Sequence, residues 1–506
     1  MDSRLARRFP PEIVSKIFLE CIDIGETTLP DRAPILLTRV SRWWRAIALS
    51  TPRLWSYLRL RTPYADRGIK HLESYLAALQ AWLSLSQSLP LSFELRWRES
   101  PEIHGLVGET SIAKSLHILC AHCLRWKNVV IDLSLIAYDP TTQLKECWSL
   151  PLLETFCIHN ESSRGNPYCI SFLQRAPRLH QATIAYPSLD SWILPWSRLT
   201  RFSLILYGRF YSKFNVDLFL ETLSYCTNLD DFRFECSTRT PIIRDTSATA
   251  LIPKLQSLQM GISLYNGIFD EDEDERTSLV VECLMHLILP KLRKLRISVQ
   301  QCRYTWDVYL TDFVIHFADT LECLEMHGCQ LPYEVARDML EHLPNLTTIS
   351  VSLSTPEYGY NADWSILDAL ALRSTANGSG QWVVNPNPNP NLTHISIHRS
   401  KCSSIFSSNF HVNENLWSGS LFSLGLTTMI QSRWQARANS HDMAGGATAP
   451  GLTSVSFDVE EMDSAAPSLY ACIAQCMEEG LRVSHTDSDA PPYYSSIDIR
   501  FDHLIL

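Results

Sequence analysis

Long apolar runs are scarce in this chain of 506 residues. The longest, Leu279–Leu289, is interrupted by Glu282 and His286 and is too short to cross a bilayer, so no membrane partner is expected. Positive charge is not in excess either. The net charge of −10 argues against a general nucleic-acid binder and leaves room only for a local basic patch. Met1–Pro11 is charged and lacks the apolar stretch of a secretory signal. The fifteen cysteines are therefore expected as free thiols in a reducing compartment, cytoplasmic or nuclear. The sequons at Asn160, Asn345, Asn377 and Asn391 are expected to stay unmodified.

Chemical motifs are missing as well. There is no P-loop, dinucleotide-binding glycine loop, His-Glu-x-x-His or nucleophile elbow. Nothing raises an enzyme, a catalytic residue or a cofactor above the background expectation. The nearest approach to a metal site is His117, Cys120 and Cys123, which could share a helical face. A structural zinc takes four ligands, and no second Cys-x-x-Cys lies at finger spacing. Cys147 and Cys157 stand too far off in sequence to count, so these residues read as small core side chains. Cys472 and Cys476 read the same way, and no metal is expected.

What is present is a repeat. Leu-x-x-apolar-x-apolar, often with Pro two residues before the Leu, recurs ten times. Examples are Pro151–Ile158, Pro177–Ile184, Pro253–Met260, Pro290–Ile297, Pro344–Val351 and Pro390–Ile397. The anchors are Leu153, Leu179, Leu199, Leu229, Leu255, Leu292, Leu321, Leu346, Leu392 and Leu452. The Leu and the two following apolar residues face one side of a short strand, while residues between them, such as Thr155 and Cys157 or Lys294 and Arg296, face the other. Stacking such units buries the apolar side. This period and consensus read as leucine-rich repeats, a solenoid whose long face suits binding rather than chemistry. Leu89–Trp97 and Leu124–Leu135 read as degenerate first repeats, the latter with Val129, Ile131 and Leu133 inward.

Upstream lies a compact helical stretch. Pro10 and Pro11 suit a helix start, and Glu12 sits in its first turn. Ile13, Ile17, Phe18 and Cys21 are expected on one helical face. A second stripe runs through Leu36, Leu37, Val40 and Trp44 into Ile47 and Ala48. A third helix is expected over 67–88, with Leu72, Tyr75, Leu76, Leu79, Trp82 and Leu83 on a broad stripe.

"FPPEI" at Phe9–Ile13 followed by "ILLTRVSRWWRAIA" at Ile35–Ala48 resembles the F-box, with its Pro-x-Glu-apolar start and Val-Ser-x-x-Trp-Arg core. The family usually opens Leu-Pro where this chain has Phe9-Pro10. The longer arrangement is similar to F-box-like proteins abundant in mushroom-forming fungi, in which the box precedes irregular leucine-rich repeats. The resemblance implies docking onto the Skp adaptor of a cullin-based ubiquitin ligase. Its adaptor-facing positions would be Pro10, Pro11, Ile13, Ile17, Leu36, Leu37, Val40 and Trp44.

The expected fold is therefore α/β. An all-α F-box-like domain spans 1–60, a connecting helix 61–90, and a leucine-rich-repeat solenoid, a curved α/β horseshoe, 91–506. Loop insertions are expected near 265–280, 376–391 and 435–451. The expected function is a substrate receptor, with an unknown target protein held by the repeat surface. Target-facing candidates are Arg201, Arg233, Lys294, Arg296, His327 and His394. The alternative is a repeat scaffold whose N-terminal helices only cap the solenoid.

Overall fold

The computed structural model describes residues 9–22, 31–61, 69–96, 106–133, 140–145, 147, 149–159, 171–185, 192–206, 214–237, 242–243, 248–263, 281, 284–300, 308–327, 333–354, 365–372, 374–376, 382–384, 389, 391–400, 426–434, 452–457 and 467–485. The insertions expected near 265–280 and 435–451 lie outside these residues. The chain divides into two units, one built mainly from residues 1–229 and the other from 230–239 and 246–499.

The first unit opens with helices α1 (Pro11–Glu20), α2 (Leu37–Val40) and α3 (Arg42–Leu49). Pro11 sits at the start of α1, where a missing N–H costs nothing, and the Ile13 and Val14 amides close onto the Pro10 carbonyl. The expected single stripe from Leu36 to Trp44 is broken at Ser41. This residue is extended, and its hydroxyl accepts the Trp44 amide at 3.1 Å, so it caps α3 and separates it from α2.

Strand β1 (Tyr57–Arg61) follows at once, then helix α4 (Ile69–Leu85), β2 (Leu91–Arg96), helix α5 (Leu106–Cys120), β3 (Trp126–Asp132), β4 (Thr155–His159), β5 (Gln181–Ala185) and β6 (Arg201–Leu206). The six strands are parallel and pair in sequence order. The sheet thus starts at Tyr57, inside the segment expected to be wholly helical, and α4 is the crossover between its first two strands.

The second unit repeats the scheme with β7 (Asp231–Ser237), β8 (Ser257–Ser263), β9 (Lys294–Gln300), β10 (Cys323–His327), β11 (Thr348–Ser354), β12 (His394–Ser400), β13 (Ser454–Phe457) and β14 (Arg482–His485). These eight are also parallel and in order. Helices Val308–Ile315, Tyr333–Glu341, Ser365–Leu370 and Pro467–Glu478 lie among the connections. Each unit is α/β, with its parallel strands in an open, solenoid-like run. Part of the loop expected over 376–391 is instead a small hairpin, Ser374–Ala376 against Trp382–Val384.

The repeat explains the stacking. All ten anchor leucines are buried, as are apolar residues that follow them, among them Phe232 and Phe234, and Leu295 and Ile297. The backbone amide after an anchor recurrently donates to the equivalent carbonyl one repeat earlier: Glu154 to Lys127 and His180 to Glu154 in the first unit, and Glu322 to Arg293, Thr347 to Glu322 and Thr393 to Thr347 in the second. Asparagines just before anchors add a side-chain rung. Asn228, Asn345 and Asn391 donate to the carbonyls of Ser197, Asp319 and Pro344 at 2.7, 3.0 and 3.1 Å. Asn389 is fully buried and donates to the Leu340 and Leu343 carbonyls at 2.7 and 2.9 Å, satisfying the end of the helix Tyr333–Glu341.

Candidate functional site

Two surfaces collect the residues singled out from the sequence. The first is the N-terminal helical region. On α1 the buried stripe is Val14 and Phe18, while Ile13 and Ile17, one turn apart, are 43% and 50% exposed. Phe18 therefore parts from Ile13 and Ile17, with which the helical spacing grouped it, and Cys21 is exposed. Leu36 and Val40 are also exposed, Val40 by 52%, as are Phe9, Pro10 and Pro11. Leu37 differs. It is only 5% exposed and, like Ile47 and Ala48, belongs to the buried core, so it does not stand in solvent with the other adaptor-facing candidates. Trp44 is half-buried, its ring 4.9 Å from that of Phe18.

The interior of this region is well tied. The Trp55 indole donates to the Ala48 carbonyl at 2.9 Å and meets the Trp82 ring edge-on at 4.8 Å. The helices are thereby fastened to the first crossover helix. Their inward faces already have partners, and large apolar side chains still stand in solvent on the other side. Soluble surfaces seldom gather such residues without a partner to cover them.

The second surface is the outward side of the strands. In the first unit it is largely used internally. Glu94 is buried between Arg59, at 3.0 Å, and Arg96. Ser92, Asn128 and Thr155 form a ladder, with Asn128 donating to the Ser92 hydroxyl at 3.1 Å and accepting from Thr155 at 3.0 Å. Cys157 and Thr183 also face outward by register but are buried, so small side chains one strand apart shield each other there. Of the target-facing candidates, this unit carries only Arg201, exposed at the head of β6.

In the second unit the register brings three candidates around one carboxylate. Lys294 and Arg296 on β9 stand opposite Cys323 and Glu325 on β10. Lys294 Nζ lies 2.6 Å from Glu325, Arg296 Nε 3.6 Å and His327 Nε2 3.9 Å. Burial alone would raise the Glu325 carboxyl. The hydrogen bond from Lys294, the nearby His327 ring, and the charges of Lys294 and Arg296 outweigh it and hold the group at about 2. Burial likewise works against the Lys294 ammonium, and Glu325 overcomes it, so Lys294 is held above its usual range. Glu325 is the residue missed as a centre. It occupies the same offset from its anchor as Arg296 does one repeat earlier, so aligning the repeats would have found it.

The other candidates stand apart from this cluster. Arg233 is half-buried and paired with Glu235 on its own strand, its Nε at 2.7 Å. Glu235 in turn lies over Gly261 of β8, where a Cβ would come within 2.7 Å of its Cγ. His394 is exposed at the head of β12, its Nδ1 2.6 Å from the Thr393 hydroxyl.

The cysteines regroup. His117 is exposed and lines a groove of about 400 Å³ with Leu76, Gln80, Lys114 and Gln143, whereas Cys120 and Cys123 are buried. Cys147, distant in sequence, is their actual neighbour. Hydrogen bonding with Cys120, then burial, pushes its thiol well up. Buried thiols kept protonated in this way are poor nucleophiles and poor ligands. Among the described residues, no group of His, Cys, Asp or Glu is arranged to hold a metal ion, and no helix is long and apolar enough to cross a membrane.

No protein-family model and no curated protein matches this chain. Among solved structures, the chain is similar at 13% identity to a Bacteroides fragilis protein determined by a structural genomics consortium, with a TM-score of 0.29. The match covers 52% of this chain and 64% of that one, less than two thirds of its length.

Proposed function

We propose that this chain is the substrate-recognition subunit of a Skp-cullin-F-box type ubiquitin ligase. Its N-terminal F-box-like helices dock a Skp-type adaptor, and through it a cullin, while the leucine-rich-repeat face holds a target protein. The observation that carries the reading is the exposure of Ile13, Ile17 and Val40 on helices that also carry buried residues, with Phe9 and Leu36 exposed just ahead of those helices. These are the same stretches whose sequence resembles the F-box. Five apolar side chains of this kind supply the anchors that a small interface needs. The chain itself does no chemistry; it positions the target near a ubiquitin-loaded enzyme and so replaces a chance encounter with a held one.

The packing of Trp55 on Trp82 favours a second reading, in which the helices serve only as a cap on the first repeat. Capture of purified Skp-type adaptor and cullin by the full chain separates the two. The ligase reading expects capture by the wild type and loss in Ile13→Asp/Ile17→Asp. Absence of capture by the wild type leaves the cap.

A further inference from the structure

We propose that Arg45 is a positioning residue of the docking surface: it ties the short helix α2 to α3 and so sets how Leu36 and Val40 are presented to the partner. The proposal rests on the reading that these helices dock a Skp-type adaptor, and it names what fixes the geometry of that site. Helix α2 has only four residues, Leu37–Val40, and a single turn fixes more dihedral angles than it gains hydrogen bonds. Ser41 is extended and ends it. A continuing helix would offer the Thr38 carbonyl an amide four residues on. The break withdraws that donor, and the Arg45 guanidinium supplies another, its Nε donating to the Thr38 carbonyl at 2.7 Å. A charged donor makes a stronger bond than a neutral one, and a cation at the last carbonyls of a helix also suits its dipole.

Arg45 can hold α2 because α3 is itself anchored. Ile47 and Ala48 are buried, and the Ser41 hydroxyl caps the first turn by accepting the Trp44 amide. The Ser50 and Thr51 hydroxyls donate to the Ile47 carbonyl at 3.0 and 2.7 Å and close the other end. The Trp44 ring lies 4.9 Å from that of Phe18, the residue after Ile17 on α1. Helix α3 thus joins the two exposed apolar sets, reaching α1 through Trp44 and Phe18 and α2 through Arg45 and Thr38. Within the second set, the Thr38 amide and hydroxyl both donate to the Ile35 carbonyl, at 3.0 and 2.7 Å, and the Arg39 amide donates to the Leu36 carbonyl at 2.9 Å. Fixing Thr38 therefore fixes the turn that carries Leu36 and Val40. Arg42, one turn earlier on α3, is exposed like Arg45 and makes no bond to α2 among the described residues, so it separates the effect of charge from that of position.

The test is titration of a purified Skp-type adaptor into the full chain and its variants, with hydrogen exchange of the free chain read over residues 35–41. Arg45→Met keeps the apolar stem and loses the donor. It should weaken adaptor binding about tenfold, the worth of one charge-assisted bond. It should also speed exchange over 35–41 several-fold while the thermal midpoint stays close to that of the wild type. Arg45→Lys, which keeps a charged donor, should recover most of the affinity. Arg42→Gln removes the same charge one turn away and should leave both readouts unchanged. The losses from Arg45→Met and Val40→Ala should be less than additive, because Arg45 acts through the turn that carries Val40, whereas those from Arg45→Met and Ile13→Ala should add. Wild-type affinity in Arg45→Met, unchanged exchange over 35–41, additive losses with Val40→Ala, or an equal loss in Arg42→Gln overturns the proposal and leaves adaptor docking standing. Absence of adaptor binding by the wild type removes the ligase reading, and this proposal with it.

Discussion

Glu325 shows how a single residue's environment decides its chemistry. Burial opposes its charge, yet His327, Lys294 and Arg296 hold it at about 2, below an ordinary 4.5. A carboxyl depressed in the folded state adds stability above its unfolded value, and that contribution is lost as pH falls toward the folded value. The shift corresponds to roughly 3 kcal/mol at most, lost between about pH 5 and about pH 2. Urea unfolding across this window should fall more steeply for the wild type than for Glu325→Gln, and parallel curves would contradict the assignment. Gly261 makes a second residue-scale test. Gly261→Ala puts a methyl against the Glu235 side chain and should cost about 1 kcal/mol. If that contact is the cause, Glu235→Ala in the same chain should recover most of the loss, and additive losses would show that it is not.

At the scale of elements, the repeat was the most legible feature because it is enforced at every copy. An anchor that did not turn inward would leave a gap in the stack, and none of the ten does. The N-terminal helices were half legible. Their existence follows from the apolar spacing, but which apolar residues face inward does not, because α1 has apolar side chains on two sides. Tertiary packing chose Val14 and Phe18 over Ile13 and Ile17. The break at Ser41 had a sequence signal, a serine before a Trp-rich helix, that the longer stripe obscured. The meeting of Cys147 with Cys120 and Cys123 had none, since it depends on how a connection folds back on α5. The asparagine rungs can be tested at this scale. Asn345→Ala should lower stability by about 1 kcal/mol, the net worth of an exposed hydrogen bond. Asn389→Ala should cost more, about 2 kcal/mol, because two buried carbonyls lose their donor. Denaturant midpoints of the two variants in the reverse order would contradict this view of the stack.

For the whole molecule, the strands and the helical start divide the work. Parallel strands with an apolar inner side hold the repeats together, and the outer side of the second unit gathers Lys294, Arg296 and His327 around Glu325. The helices at the start fasten themselves inward through Phe18, Trp44 and Trp55 and leave other apolar residues outside. The buried and exposed sets make opposite predictions. Leu37→Asp puts a charge into the core and should cost several kcal/mol of stability. Ile13→Asp/Ile17→Asp should leave the thermal midpoint close to that of the wild type.

The most direct measurement is isothermal titration of a purified Skp-type adaptor into the full chain and into Ile13→Asp/Ile17→Asp. Two interface anchors lost at about 2 kcal/mol each weaken binding by roughly a thousandfold. Tight binding to the wild type with that loss in the double variant is the expected result. A wild-type chain that gives no binding heat at any temperature tried and captures no adaptor, or a folded double variant that binds as tightly as the wild type, would contradict adaptor docking through these helices.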